Sequence, residues 1–82
     1  MYRIETYSDA MEQIATLPDD ALADYAQVLG VLELVPWNGA PLRDDSPDGT
    51  VRTLPLGPAG LVTYLIIDDQ RRVDVLNIVW MD

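Results

Sequence analysis

Leu61-Val62-Thr63-Tyr64-Leu65-Ile66-Ile67-Asp68-Asp69-Gln70-Arg71-Arg72-Val73-Asp74-Val75-Leu76-Asn77-Ile78-Val79-Trp80-Met81 is the stretch whose reading decides the fold. From Leu61 to Ile67 the run is interrupted only by Thr63, the pattern of a central strand that ends at Asp68. Asp69-Gln70 with its flanks supplies a turn, and Arg72 to Met81 makes a last, long strand. Upstream, Val51 to Leu56 reads as a strand cut by Pro55, and Gly57-Pro58-Ala59-Gly60 as the hairpin turn into the central run. Three hairpin-linked strands need a covering layer, and the N-terminal half supplies one.

Tyr2 to Tyr7 alternates, with Tyr2, Ile4 and Thr6 on one side, which predicts a short first strand. Ser8-Asp9 then offers an N-cap, with Asp9 and Glu12 at capping-box spacing. Met11, Ile14, Ala15 and Leu17 fall on one helical face, and Pro18 ends that helix. Asp19-Asp20 begin a second helix whose Leu22, Tyr25, Leu29 and Leu32 step by three, four and three. Val28 and Val35 widen this stripe, and Pro36 stops it. Trp37 to Thr50 is dense in turn formers and acids and reads as a loop. The order β-α-α-β-β-β predicts a single α+β domain over residues 1–82, a helical hairpin packed on one face of a mainly antiparallel sheet.

Strict alternation in the last strand puts Val73, Val75, Val79 and Met81 on one side and Leu76, Ile78 and Trp80 on the other. Helices cover one side only, so an apolar face is left over, and Val75, Val79, Trp80 and Met81 become candidate partner-binding residues. A second copy of the chain, the Trp37 to Thr50 loop, or a dedicated protein partner would each cover it.

Charge narrows the chemistry. Five arginines stand against fourteen acids for a net charge of −9, with no lysine, histidine or cysteine. This excludes Ser-His-Asp and Cys-His nucleophilic pairs, imidazole bases, Schiff-base lysines and the usual zinc ligand sets. Asp44-Asp45-Ser46-Pro47-Asp48-Gly49 imitates the start of a calcium loop, but Pro55 stands where the bidentate glutamate belongs, so it reads as a solvated turn. The other acids sit in turns and at helix starts, where solvation and the helix dipole account for them, so no metal and no cofactor is expected. The charge disfavours direct nucleic-acid binding, which depends on cation-for-counterion exchange, and favours a basic partner. Apolar runs far short of about 20 residues predict no membrane span, and the N-terminus lacks a signal peptide's core, which predicts a cytoplasmic protein.

The opening Tyr2-Arg3-Ile4, Ser8-Asp9-Ala10, Leu17-Pro18-Asp19-Asp20, Leu34-Val35-Pro36, and Val62-Thr63-Tyr64-Leu65-Ile66-Ile67-Asp68 followed by Val73-Asp74-Val75-Leu76-Asn77-Ile78 together resemble the RelE/ParE toxin superfamily. The resemblance implies the toxin of a toxin-antitoxin pair, which cuts messenger RNA on the ribosome or poisons gyrase and is silenced by an antitoxin wrapped around it. Arg52-Thr53-Leu54-Pro55-Leu56-Gly57 is similar to the family's Arg-x-Leu-x-x-Gly segment, and Tyr64 matches the end of its Tyr-Arg-aliphatic-aliphatic-Tyr strand. Arg52 and Tyr64 are thus the candidate catalytic residues, although a tyrosine inside an apolar central strand also reads as core. Gly60 and Leu61 replace the expected tyrosine and arginine, and Val79-Trp80-Met81-Asp82 replaces the family's basic end. With both arginines missing, the reading favoured here is a catalytically silent module that binds an antitoxin-like or other basic protein. An active toxin and a homodimeric structural or regulatory protein are the alternatives.

Overall fold

The computed structural model describes residues 1–81. Its elements run β1 (Arg3–Thr6), α1 (Ser8–Ala15), α2 (Asp19–Leu34), β2 (Ala40–Pro41), β3 (Val51–Leu56), β4 (Gly60–Ile67) and β5 (Arg72–Trp80), with 3-10 turns at Pro36–Asn38 and Asp68–Gln70. The strands form one sheet in the order β1-β5-β4-β3-β2. β4 is central, as the apolar run predicts. β1 is parallel to β5, and every other pair is antiparallel. The α+β architecture therefore agrees with the sequence, with β2 added from within the predicted loop. Pro41 fits there because an edge strand has a side on which no N–H is needed.

The last strand departs from strict alternation. Thr63 pairs with Asn77 but Tyr64 pairs with Val75, so Leu76 is an extra residue, a β-bulge. Before it, Val73 and Val75 oppose Ile66 and Tyr64; after it, Ile78 and Trp80 oppose Val62 and Gly60. All of these except Gly60 belong to, or pack against, one buried cluster with the helices. The bulge thereby gathers Val73, Val75, Ile78 and Trp80 on the helix-covered face and leaves Val79 on the other.

The helices also settle differently from the predicted stripes. Tyr7 N–H still bonds Val75 O at 3.0 Å, so the strand holds the chain up to Tyr7 and Ser8 is already helical. The capping box is not formed, and Asp9 instead sits in the first turn, where the helix dipole favours it. Ala10 and Ala21, fully buried, let both helices approach the sheet closely, while Met11, Leu22 and Val35 face out. On α2 the buried set is Ala21, Tyr25, Val28 and Leu32, a four-three-four spacing. Full burial of a side chain such as Leu32 contributes roughly 2 kcal/mol.

β1 pairs with β5 only as far as Val75, which leaves the next part of the β5 edge without a strand. Gln13 of α1 fills the gap. Its Oε1 accepts from Ile78 N–H at 2.7 Å, and its Nε2 donates to Asn77 Oδ1 at 3.0 Å. No helix among the described residues is long and apolar enough to cross a membrane. Gln13→Ala is expected to lower stability by about 1 kcal/mol in urea unfolding, because Ile78 N–H loses its acceptor, whereas Gln27→Ala on the exposed side of α2 is expected to change little.

Candidate functional site

Arg52 on β3 and Tyr64 on β4 are direct cross-strand partners, so the fold does bring the two candidate catalytic residues together. It brings them together inside the protein: they are 8% and 0% exposed. The guanidinium donates through Nε to Gly49 O at 3.0 Å, through Nη1 to Gly39 O at 2.9 Å and Trp37 O at 3.4 Å, and through Nη2 to Pro47 O at 2.8 Å. It also lies over the Trp37 ring, 4.9 Å from the centroid. Tyr64 donates its hydroxyl proton to Pro36 O at 2.6 Å. Gly39 admits this arrangement, since any side chain there would collide with the Tyr64 hydroxyl and with Thr53 O.

The chemistry of the pair follows from its surroundings. Burial pushes the Tyr64 phenol above its ordinary value, with the Gly39 backbone and the Arg52 charge acting in the opposite sense. The phenol proton is directed inward, at a backbone carbonyl. Four backbone carbonyls take the donors of the Arg52 guanidinium. Arg52 and Tyr64 fasten the chain between Pro36 and Gly49 to the sheet.

The remaining arginines are also engaged within the chain. Arg3 approaches Glu5 at 3.7 Å, Arg43 holds Asp45 at 3.1 Å, and Arg72 grips Asp74 through Nε at 2.9 Å and Nη2 at 3.2 Å. The Asp74 hydrogen bond is the main cause that raises the Arg72 guanidinium above its ordinary value. Asp74 is 4% exposed, so this pair is sheltered where the Arg3 and Arg43 pairs are not.

A polar cluster that sequence reasoning missed surrounds Asp68 at the β4–β5 turn. Tyr2 and Trp37 both donate to Asp68 Oδ1, and Arg71 donates to the Tyr2 hydroxyl at 3.3 Å while lying over the Tyr2 ring. Arg71 closes the turn in the left-handed region at φ 50°. The hydrogen bonds from Tyr2 and then Trp37 hold the Asp68 carboxyl below its ordinary value, and the Arg71 charge adds to them. These partners lie 66 and 31 positions from Asp68, so no local spacing advertises them.

The four candidate partner-binding residues divide. Val75 is fully buried on the helix-covered face, and Trp80 packs against the same core. Val79 and Met81 are exposed, at 44% and 73%, and Val79 pairs with the exposed Leu61 on the other face of the sheet. The bulge at Leu76 is the reason for the split, because it shifts every later residue of β5 to the opposite side. Among the described residues, no group of three or more acids is placed to hold a metal ion.

No family model and no curated protein matches this chain. Solved structures do. A chain of the toxin-antitoxin complex RelBE2 from Mycobacterium tuberculosis superimposes with a TM-score of 0.80 at 23% identity, covering 98% of this chain and 91% of that one. This is the RelE toxin fold. The isolated E. coli RelE toxin is similar at TM-score 0.78 and 17% identity, over 100% of this chain and 86% of that one. A mutant E. coli RelE in complex with an antitoxin RelBc peptide is similar at 0.72 and 19%, over 99% and 84%. The RelE-like resemblance read from the sequence thus holds for the fold.

Tyr64→Phe is expected to lower stability by about 1 to 2 kcal/mol, because Pro36 O loses its donor, and Arg52→Lys by about 2 kcal/mol, because one ammonium cannot span the carbonyls. Urea unfolding followed by tryptophan fluorescence checks both. Since the folded Asp68 pKa is depressed, its contribution is present above the ordinary value of 3.8 and is lost as pH falls through the lower folded value. Below pH 3.8 the wild type is therefore expected to lose stability more steeply than Asp68→Asn, as acid titration of the unfolding midpoint will register.

Proposed function

We propose that this protein is a toxin-family module of RelE-like fold that acts by binding a protein partner and does not cut RNA. The observation that carries the reading is the internal engagement of all five arginines: three hold carboxylates, Arg52 holds backbone carbonyls and Arg71 holds Tyr2. Ribonucleolytic chemistry stabilises charge developing on a phosphate, and cationic or hydrogen-bond donors already committed elsewhere do not supply that stabilisation. Freeing Arg72 would separate a sheltered ion pair, and freeing Arg52 would unfasten a loop.

The partner side of the reading draws on charge and on the relatives. A chain of net charge −9 attracts basic surfaces, and RelE toxins of this fold are found in complex with antitoxins. An antitoxin-like protein with a basic binding segment fits both. On the open sheet face, Leu61 and Val79 are exposed apolar residues within its reach, and Met81 follows β5.

Induced expression in E. coli, paired with a cleavage assay on purified ribosomes carrying a defined messenger, tests the catalytic half. Growth at the uninduced rate and intact messenger are expected. Growth arrest accompanied by ribosome-dependent cuts would sink the proposal.

A further inference from the structure

The two sides of the sheet differ in cover and in charge. One side carries the helices, which leave a cleft of about 420 Å³ beside β1. The other carries no helix. Burial alternates along β4, with Val62, Tyr64 and Ile66 buried under the helices and Leu61, Thr63, Leu65 and Ile67 turned to the open side. Val51 on β3 pairs with Leu65, and Val79 on β5 pairs with Leu61, so the row widens into an apolar patch. The bulge at Leu76 is what brings Val79 to this side.

The charge divides between the same two sides. Residues 8–34, on the helical side, contain six acids and no basic residue. Among the described residues only two acids, Glu5 and Asp74, lie in strands, and each is paired with an arginine, Arg3 and Arg72. The register sets Arg3 beside Arg72 and Glu5 beside Asp74, while Asp74 and Arg72 in turn oppose Leu65 and Ile67, so all four charges stand on the open side and balance. A basic partner meets no surplus of acid there, and a phosphate meets no unpaired cation. A second copy meets an apolar patch like its own and charges of both signs, which a two-fold axis sets against one another.

Geometry supports the same occupant. Two open faces pack about 10 Å apart, which leaves the acidic helical layers on the outside, roughly 30 Å from each other and several screening lengths apart at physiological salt. Strands of two to nine residues, at about 3.3 Å per residue and about 4.8 Å between neighbours, give each face on the order of 500 Å². Two such faces bury on the order of 1,000 Å², the low end for a specific interface and a size suited to a reversible dimer.

We propose that the free protein pairs with a second copy of itself, open sheet face against open sheet face, about a two-fold axis through the patch of Leu61, Leu65 and Val79. The contact is an aligned sheet-on-sheet packing in which apolar side chains supply the affinity and the balanced ion pairs supply the register. It stands independently of the partner-binding reading above, and a protein partner that reaches Leu61 and Val79 competes with the second copy.

Sedimentation equilibrium of the full chain, from about 1 μM to about 1 mM, tests the proposal. A monomer–dimer equilibrium is expected, with concentration-dependent NMR line broadening at the Leu61, Leu65 and Val79 methyls. The dimer is expected to strengthen as salt rises, because two chains of charge −9 repel at long range while their contact is largely apolar. Val79→Lys and Leu61→Lys, at residues exposed enough to leave folding intact, are each expected to weaken the dimer at least about tenfold, since the symmetry buries two lysines at once. Met11→Lys makes the same change of charge on the helical side and is expected to leave the equilibrium within about twofold. A chain that stays monomeric over the whole range would overturn the proposal, as would a dimer that persists unchanged in both Val79→Lys and Leu61→Lys. Neither result bears on RNA cleavage, which the expression experiment reads separately.

Discussion

Between the pairs Thr63–Asn77 and Tyr64–Val75, β5 carries one residue more than β4, and Leu76 has no partner across the ladder. The side-chain period of a strand is two, so a single inserted residue exchanges the faces of everything beyond it. This puts Ile78 and Trp80 on the same side as Val73 and Val75, where one helical layer can bury them. Without it, a domain this small would divide its apolar side chains between two faces and have helices for only one of them. Gln13 belongs to the same local solution, because its amide satisfies β5 where β1 has ended.

The second organising contact is the Arg52–Tyr64 pair. In a chain with five cationic side chains, one is spent on carbonyls of a turn-rich segment that has little apolar surface of its own. A buried guanidinium is costly unless its donors are satisfied, and four carbonyls with an indole face meet that requirement. The result is a RelE-like scaffold whose best-positioned arginine maintains architecture. The helical hairpin beside it carries acids and no basic residue.

Much of the fold was legible in the chain. The apolar run of β4, the prolines at 18 and 36 and the hairpin turn at Gly57–Gly60 fall where the structure has its strand, helix limits and turn. Those features act within a few residues, so local sequence reports them. The site was less legible. Strict alternation separates Val75 from Trp80, and the bulge at Leu76, which no glycine or proline marks, puts both on the helix-covered face. The stripe expected on α2 includes Leu22, yet Ala21 is the buried neighbour, because a close helix-to-sheet approach selects the smaller side chain. Arg52 and Tyr64 stood out as rare functional types in a matching motif, and motif matching carries no information about burial.

By itself, then, the sequence determined the order of the two helices and of four of the five strands, the α+β class, the exclusion of imidazole, thiol and lysine chemistry, and the sign of the chain's own net charge. These are properties of composition and of short-range pattern. Only the tertiary structure decided which face of β5 is buried, that Arg52 and Tyr64 serve a loop, that Asp68 gathers Tyr2 and Trp37, and that the helical layer leaves a cleft beside β1. Each depends on groups far apart in the chain meeting at hydrogen-bond or van der Waals distance, and their positions in the sequence do not encode that distance.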